Sequence, residues 1–421
     1  MDNRIIPRFA TSGMLKALTV SPVVFINGAR QVGKSTLVRS NLDKIGIKGT
    51  PATYLSFDNP TQMAAAAANP DHFLTSHKSH LVIDEVQMVP EVFRALKFAV
   101  DELRINNKSQ ANGRFLLTGS ANILALPKLA DSLVGRMSVL TLYPYCTAEA
   151  TKGKGDGLER ILKKDFANIT DRGLTITDAI RSGSFPELRN RNSAERNIWF
   201  EGYISTMLQR DVRLIADLEK ISVLPHLLRV LATRSASLIN DSDIAREIGL
   251  NMVTTKFYRN IFKMMFLNFD IEPWHRNVGK RLVKSSKGFL IDSQMLCYML
   301  DWDIDDLATN RPELFGRVLE NYVATELLKL ISFSGKIVKL LHFRTSDGKE
   351  VDFVLERPDG EVVAIEVKKT ASVDADDFKG IKVLADLTKK QFSAGIVLYG
   401  GKDVVAFGKN LWAVPYPVLW Q

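Results

Sequence analysis

One eight-residue stretch constrains this chain more than any other. Gly28-Ala29-Arg30-Gln31-Val32-Gly33-Lys34-Ser35 has the spacing GxxxxGK[ST]. It stands between the apolar run Val23-Val24-Phe25-Ile26 and a helical pattern from Lys34 to Leu42. A strand, a glycine-rich turn and a helix start, in that order, gather backbone N–H groups and the positive end of a helix around an anion. The glycines let the backbone close on a phosphate. Lys34 is expected to bridge the β- and γ-phosphates of ATP, Ser35 to reach Mg²⁺, and Thr36 beside it to join the nucleotide contacts. A chance turn could carry the same letters, but the flanking strand and helix argue against chance. Arg30, inside the loop, either touches phosphate or faces solvent.

Such a loop needs an acidic partner. Leu81-Val82-Ile83-Asp84-Glu85 supplies an apolar strand ending in two carboxylates. Asp84 is expected to hold Mg²⁺ through water and Glu85 to polarise the attacking water, which argues for hydrolysis over passive binding. A solvated strand end is the bland alternative. The next strand ends in Thr118-Gly119-Ser120-Ala121-Asn122, where Ser120 or Asn122 could sense the γ-phosphate; turn chemistry favours the same residues. For charge stabilisation Arg136, just before a strand, ranks ahead of Arg210, which precedes Asp211.

Around these motifs, short apolar runs alternate with helical patterns: strands near 53–57, 79–83, 114–117 and 138–142, helices near 61–68 and 91–104. That alternation predicts an α/β fold with a parallel sheet covered on both faces. At 421 residues the chain is too long for one core. Lys152–Gly157 is a glycine- and lysine-rich break. The expected division is 1–150 for the phosphate-binding core, 151–220 for a helical lid, 221–305 for a winged helix and 306–421 for a second α/β unit.

The third segment rests on order. A helix over 223–233 is followed by an Asn240-capped helix ending at Gly249, a second helix over 251–266, and short strands at 280–284 and 288–291. Lys256, Arg259 and Lys263 are spaced to share a helix face opposite Phe257 and Ile261, and Arg276, Lys280, Arg281, Lys284 and Lys287 lie in the basic hairpin. DNA contact is the functional reading of this segment. A protein-packing module with a solvated basic face is the other. The charge balance, 56 Lys+Arg against 47 Asp+Glu, leans only mildly toward anionic partners.

The last segment carries a carboxylate–lysine set. Glu366 and Lys368 alternate by two and share a sheet face, Asp352 lies on the preceding strand, and Glu320 lies on the helix before it. Strand-edge salt bridges would use the same residues. The tail Leu411–Trp420 reads as a packed closing strand or an interface. Cys146 and Cys297 are too few for a disulfide framework, which points to a reducing, cytoplasmic setting. Neither a secretory leader nor a membrane-spanning run is expected.

Taken together, GARQVGKSTL, LVIDEVQ, LLTGSAN and SLVGRM resemble the AAA+-type P-loop ATPases of bacteria and archaea, and the resemblance extends through KRLVKSSKGFLID to the C-terminal unit. The C-terminal unit resembles the PD-(D/E)xK nuclease fold. That resemblance implies Mg²⁺ on Asp352 and Glu366, a water-activating or phosphate-stabilising role for Lys368, and Glu320 as the helix-borne acid. Two functions stay open from sequence. One is an ATPase coupling nucleotide state to DNA, with Mg²⁺-dependent cleavage as an added option. The other is a nucleotide-gated switch whose C-terminal unit binds without cutting. A monomer, a dimer and a ring are all compatible with either.

Overall fold

The computed structural model describes residues 5–46, 50–77, 79–107, 111–120, 133–215, 220–277 and 285–421. The chain forms two compact units. The first is Met1–Pro144 with Met264–Phe266, and the second is Tyr145–Lys263 with Leu267–Gln421.

The first unit is built on β1 (Val23–Asn27), β2 (Thr53–Ser56), β3 (Leu81–Asp84), β4 (Phe115–Thr118) and β5 (Met137–Thr141), in the order β2-β3-β4-β1-β5. Every pairing is parallel. All five residues of β1 are buried, as are all four of β3 and of β4, as unbroken apolar runs in a two-faced sheet should be. Helices α1 (Ala10–Val20), α2 (Lys34–Arg39), α3 (Pro60–Ala68) and α4 (Glu91–Asn107) accompany the strands. Phe25, Phe57, Phe93 and Phe115 are fully buried in one cluster with Leu81, Ile83 and Leu96. Because the strands run the same way, the residues after β1, β3 and β4 meet at one edge. Ligands of open α/β sheets sit at that edge.

The second unit carries a nine-stranded sheet in the order β13-β14-β12-β11-β10-β9-β7-β8-β6. Its strands are β6 (Ser237–Leu238), β7 (Asn268–Pro273), β8 (Lys287–Leu290), β9 (Lys339–Arg344), β10 (Glu350–Glu356), β11 (Val362–Lys368), β12 (Phe392–Tyr399), β13 (Val405–Gly408) and β14 (Leu411–Pro415). Helices α5 (Ser193–Thr206), α6 (Leu224–Thr233), α7 (Asp241–Ile248), α8 (Met252–Met264), α9 (Pro312–Phe333) and α10 (Lys379–Thr388) belong to the same unit. The side chain of Asn240 caps α7, accepting from the backbone of Ser242 at 3.1 Å, and Gly249 ends it at φ 69°.

Two sequence expectations change here. The first strand of the basic hairpin is Asn268–Pro273, which pairs antiparallel with β8; residues 280–284 lie outside the described residues. The hairpin is also no free-standing wing, because β7 continues into β9 through Glu272–Leu341 and Pro273–His342 pairing. The tail forms β14, parallel to β12 and closing over buried Val414, Leu419 and Trp420. Both cysteines are buried and unbridged.

Candidate functional site

The loop after β1 has the backbone its glycines permit. Gly28 has φ 148° and Gly33 φ 90°, both in the region that favours glycine. A Cβ on Gly28 would stand 2.1 Å from the Leu142 carbonyl oxygen, so that position also admits no side chain. The Lys34 ammonium is buried and donates to the loop carbonyls of Gly28 at 2.9 Å and Ala29 at 2.8 Å. Ser35, half-buried, and Thr36, exposed, occupy the first turn of α2, and Arg30 is half-buried in the loop. The guanidinium of Arg8 donates to the Val32 carbonyl at 2.8 Å and the Tyr143 carbonyl at 2.7 Å, pinning the loop to the segment after β5.

At the neighbouring strand ends, Asp84 is buried and accepts from two hydroxyls, Tyr54 and Thr118. Burial and the Asp84 carboxylate together push the Tyr54 phenol up to about 12, so it stays a donor. The Arg39 guanidinium lies 4.4 Å from the Tyr54 ring centroid. Thr118 also accepts from the Glu85 backbone N–H at 3.3 Å, which ties the two acids to one hydroxyl. Glu85 itself stands at φ 57°, a left-handed conformation that costs a non-glycine residue about 1 kcal/mol or more. Such strain persists only where surroundings impose it. Here the Thr118 hydroxyl holds the Glu85 backbone N–H, while the Gln87 amide donates to the Glu85 carboxylate and, at 3.0 Å, to the Ser120 hydroxyl.

The structure therefore brings Lys34, Ser35, Asp84, Glu85 and Ser120 to the same edge of one parallel sheet. Sequence reasoning missed Arg8, Tyr54, Thr118 and Gln87. Thr118 and Gln87 lie inside the quoted motifs, Thr118 as the polar end of a buried strand and Gln87 in the short turn after β3. Asn122 lies outside the described residues.

Arg136 does not join this group. The parallel register pairs Val23 with Met137 and Asn27 with Thr141, so Arg136 sits at the opposite end of β5. Six residues separate it from Leu142, which abuts Gly28, or about 20 Å at the rise of a parallel strand. Its guanidinium forms a bidentate pair with Asp101, at 2.7 and 2.9 Å. The hydrogen bond to Asp101 raises the guanidinium pKa. Against the sequence expectation, Arg136 does not serve this chain's own loop from that position. Arg210 is exposed, in the second unit.

In the second unit the basic helix face is also revised. Arg259 is 5% exposed and reaches Asp241 and, at 2.7 Å, Asp270. Lys263 is paired with the same Asp270. Phe257, expected on the core side, is 49% exposed. Only Lys256 of the three is an exposed cation; Lys280, Arg281 and Lys284 lie outside the described residues.

The carboxylate–lysine set does assemble. Lys368 lies 3.4 Å from Glu366 and 3.5 Å from Asp377. Asp352 accepts from the Val367 backbone N–H at 2.9 Å across β10 and β11. An unexpected member joins it: Lys287, 3% exposed, donates to Glu320 at 2.9 Å and stands 3.4 Å from Asp352. Burial alone would lower its pKa, but Glu320 and Asp352 outweigh burial and hold the ammonium above its ordinary range. Burial and the Asp352 charge push Glu320 up to about 8, and the same causes raise Glu366. Among the described residues no group of three or more His, Cys, Asp or Glu is placed to hold a metal ion. The Lys287 ammonium stands between Glu320 and Asp352, beside the Asp352–Glu366 pair on which Mg²⁺ was expected.

Three family descriptions match successive parts of the chain. Residues 20–151 match an AAA domain, and residues 174–306 and 315–419 each match a domain of unknown function. Uncharacterized proteins of Mycobacterium tuberculosis and Mycobacterium bovis are each 26% identical over 410 residues, spanning 97% of this chain and 83% of theirs. An uncharacterized protein of Haemophilus influenzae is 23% identical over 358 residues, 81% of each chain. The AMPPCP-bound DnaA structure from Aquifex aeolicus superposes on 62% of this chain and 90% of its own, at 12% identity and a TM-score of 0.29. No described helix is long and apolar enough to cross a membrane. Residues 20–151 thus match an AAA domain, and the parallel sheet of the first unit lies within that stretch.

Proposed function

We propose that the chain binds ATP at the 28–36 loop and hydrolyses it, and that the nucleotide state acts as a switch on a second unit that binds without cutting. The observation that carries the first half is the convergence of Lys34, Asp84 and Glu85 at one sheet edge. The Lys34 ammonium exchanges its bonds to the Gly28 and Ala29 carbonyls for phosphate oxygens. The donors Tyr54 and Thr118 hold Asp84, one on each carboxylate oxygen, and Ser35 offers a hydroxyl from the first turn of α2. That pair suits Mg²⁺, which favours hard oxygen ligands and neutralises phosphate charge when bound. Glu85, fixed by Gln87, orients the attacking water and accepts its proton; Ser120 is the polar contact beside it.

Lys287 favours the non-cutting half of the reading, because its ammonium already balances Glu320 and Asp352 in the carboxylate cluster. DNA remains the partner class for Lys256 and for any contacts made by Lys280, Arg281 and Lys284. Binding through several phosphates would weaken steeply with salt, whereas an apolar protein contact would not. The deciding experiment measures nucleotide binding and phosphate release. Lys34→Ala is expected to lose both. Glu85→Gln is expected to bind ATP and hold it unhydrolysed. Wild-type turnover in either variant refutes the assignment.

A further inference from the structure

Lys287 is not a surface lysine that happened to find acids. Its strand, β8, is bracketed by β7 and β6, with Lys287 in register with Ile271 and Leu238. The side chain is 4% exposed. The docking of β8 onto α9 is fixed a second time by Asn321, next to Glu320. Asn321 is fully buried, accepts from the Leu290 backbone N–H at 3.0 Å and from the Ser235 hydroxyl at 2.7 Å, and donates to the Ser293 hydroxyl at 2.9 Å. The strand and the helix are therefore held in place independently of the ammonium, which is delivered to a defined point.

At that point two carboxylates from different elements converge: Glu320 from α9 at 2.9 Å and Asp352 from β10 at 3.4 Å. The other oxygen of Asp352 is fixed by the Val367 N–H, and Glu366 and Lys368 flank it on β11. Two fixed carboxylates around a shared cation are a ligand count on which a hydrated Mg²⁺ or Mn²⁺ can rest. Here the cation is covalently part of the chain.

We propose that Lys287 is the built-in cation of this acidic cluster: its ammonium takes the place of a divalent metal, clasps β8, α9 and β10 together, and keeps Mg²⁺ out. The cluster is then a metal-independent joint and not a hydrolytic centre. None of its residues lies in the nucleotide-binding unit, so the inference stands or falls separately from the ATPase reading.

The test uses the full chain without nucleotide, in an Asp84→Asn background so that the loop site does not contribute metal binding. Mn²⁺ binding is followed by electron paramagnetic resonance, and the melting temperature is read with and without 1 mM-scale Mn²⁺. The unmodified cluster is expected to bind no Mn²⁺ in a manner that depends on Asp352. Lys287→Ala is expected to melt lower, to bind about one equivalent of Mn²⁺, and to regain several degrees in its presence. Adding Asp352→Asn to Lys287→Ala should abolish both the binding and the rescue. Lys287→Gln, which keeps an N–H donor on a neutral side chain one atom shorter, is run in parallel against misfolding of the alanine variant. Asp352-dependent Mn²⁺ binding with Lys287 intact overturns the proposal. So does a folded Lys287 variant that gains no Mn²⁺. If neither variant folds, the arm with Lys287 intact decides, since metal binding there refutes the exclusion and its absence upholds it.

Discussion

Arg259 separates a DNA-binding reading of α8 from a structural one. It is 5% exposed, with one guanidinium between Asp241 at the start of α7 and Asp270 on β7. Arg259→Leu fills most of the volume but leaves two carboxylates facing each other. Breaking a buried ion pair by removing one partner costs about 3–5 kcal/mol, because the surviving charge stays desolvated. The side chains of Asp241 and Asp270 keep 16% and 14% exposure, and Lys263 still reaches Asp270, so the lower end applies, about 3 kcal/mol. For a unit of this size that is a fall of roughly 5 °C in melting temperature. Arg259→Lys should fall between, since one ammonium replaces a fork that bridges two acids. Lys256→Ala, on the exposed side, should stay within about 0.5 kcal/mol. The assay is thermal and urea unfolding of the full chain, with DNA affinity of each folded variant measured across salt. The reasoning fails if Arg259→Leu melts like wild type and instead loses affinity for DNA with a shallower salt slope, as a phosphate contact would.

Two further outcomes follow from the same kind of accounting. Gln87→Ala frees Glu85 from the amide that links it to Ser120, so kcat should drop at least several-fold while nucleotide affinity holds; an unchanged kcat would remove Gln87 from the positioning role. The Glu320 carboxyl, pushed up to about 8 by burial and Asp352, keeps its proton below that pH and faces Lys287 as a carboxylate above it, whereas the unfolded chain releases the proton near pH 4.5. Folded protein thus binds more protons between those values, and stability should decline as pH rises across that window, by at most about 1.4 kcal/mol per unit. Urea unfolding at pH 6 and pH 8 should show this slope in wild type and a flatter one in Glu320→Gln.

What was legible in the sequence was local. The phosphate loop, the strand ending in Asp84-Glu85, the Asn240 cap and the β11 alternation that puts Glu366 beside Lys368 each depend on neighbours a few residues away. The alternation of apolar runs gave the parallel sheet because a two-faced strand must be apolar throughout. The missed parts depend on distant pairings. Tyr54 meets Asp84 across 30 residues, Thr118 meets it across 34, and Lys287 meets Asp352 across 65. Strand β7 was missed because Asn268-Phe269-Asp270-Ile271-Glu272-Pro273 carries two acids and ends in proline, each of which weakens a strand reading. One of those acids exists to meet Arg259. Arg136 could have been placed from order alone, since it precedes its strand while the loop and Asp84 follow theirs.

The compensation of each charge distinguishes the two units more sharply than its presence does. In the second unit Arg259, Lys263, Lys287 and Lys368 are each answered by carboxylates, so removing any one leaves an unbalanced interior. Asp84 is instead answered by the neutral hydroxyls of Tyr54 and Thr118. An amide oxygen can accept from one of these almost as well as a carboxylate does. Asp84→Asn should therefore cost the fold little, about 1 kcal/mol for one weakened hydrogen bond, while abolishing Mg²⁺-dependent phosphate release. Melting and phosphate release measured on the same preparation decide it. A variant that melts many degrees lower would mean that Asp84 is a structural charge like those of the second unit, and the loop site would lose its acid.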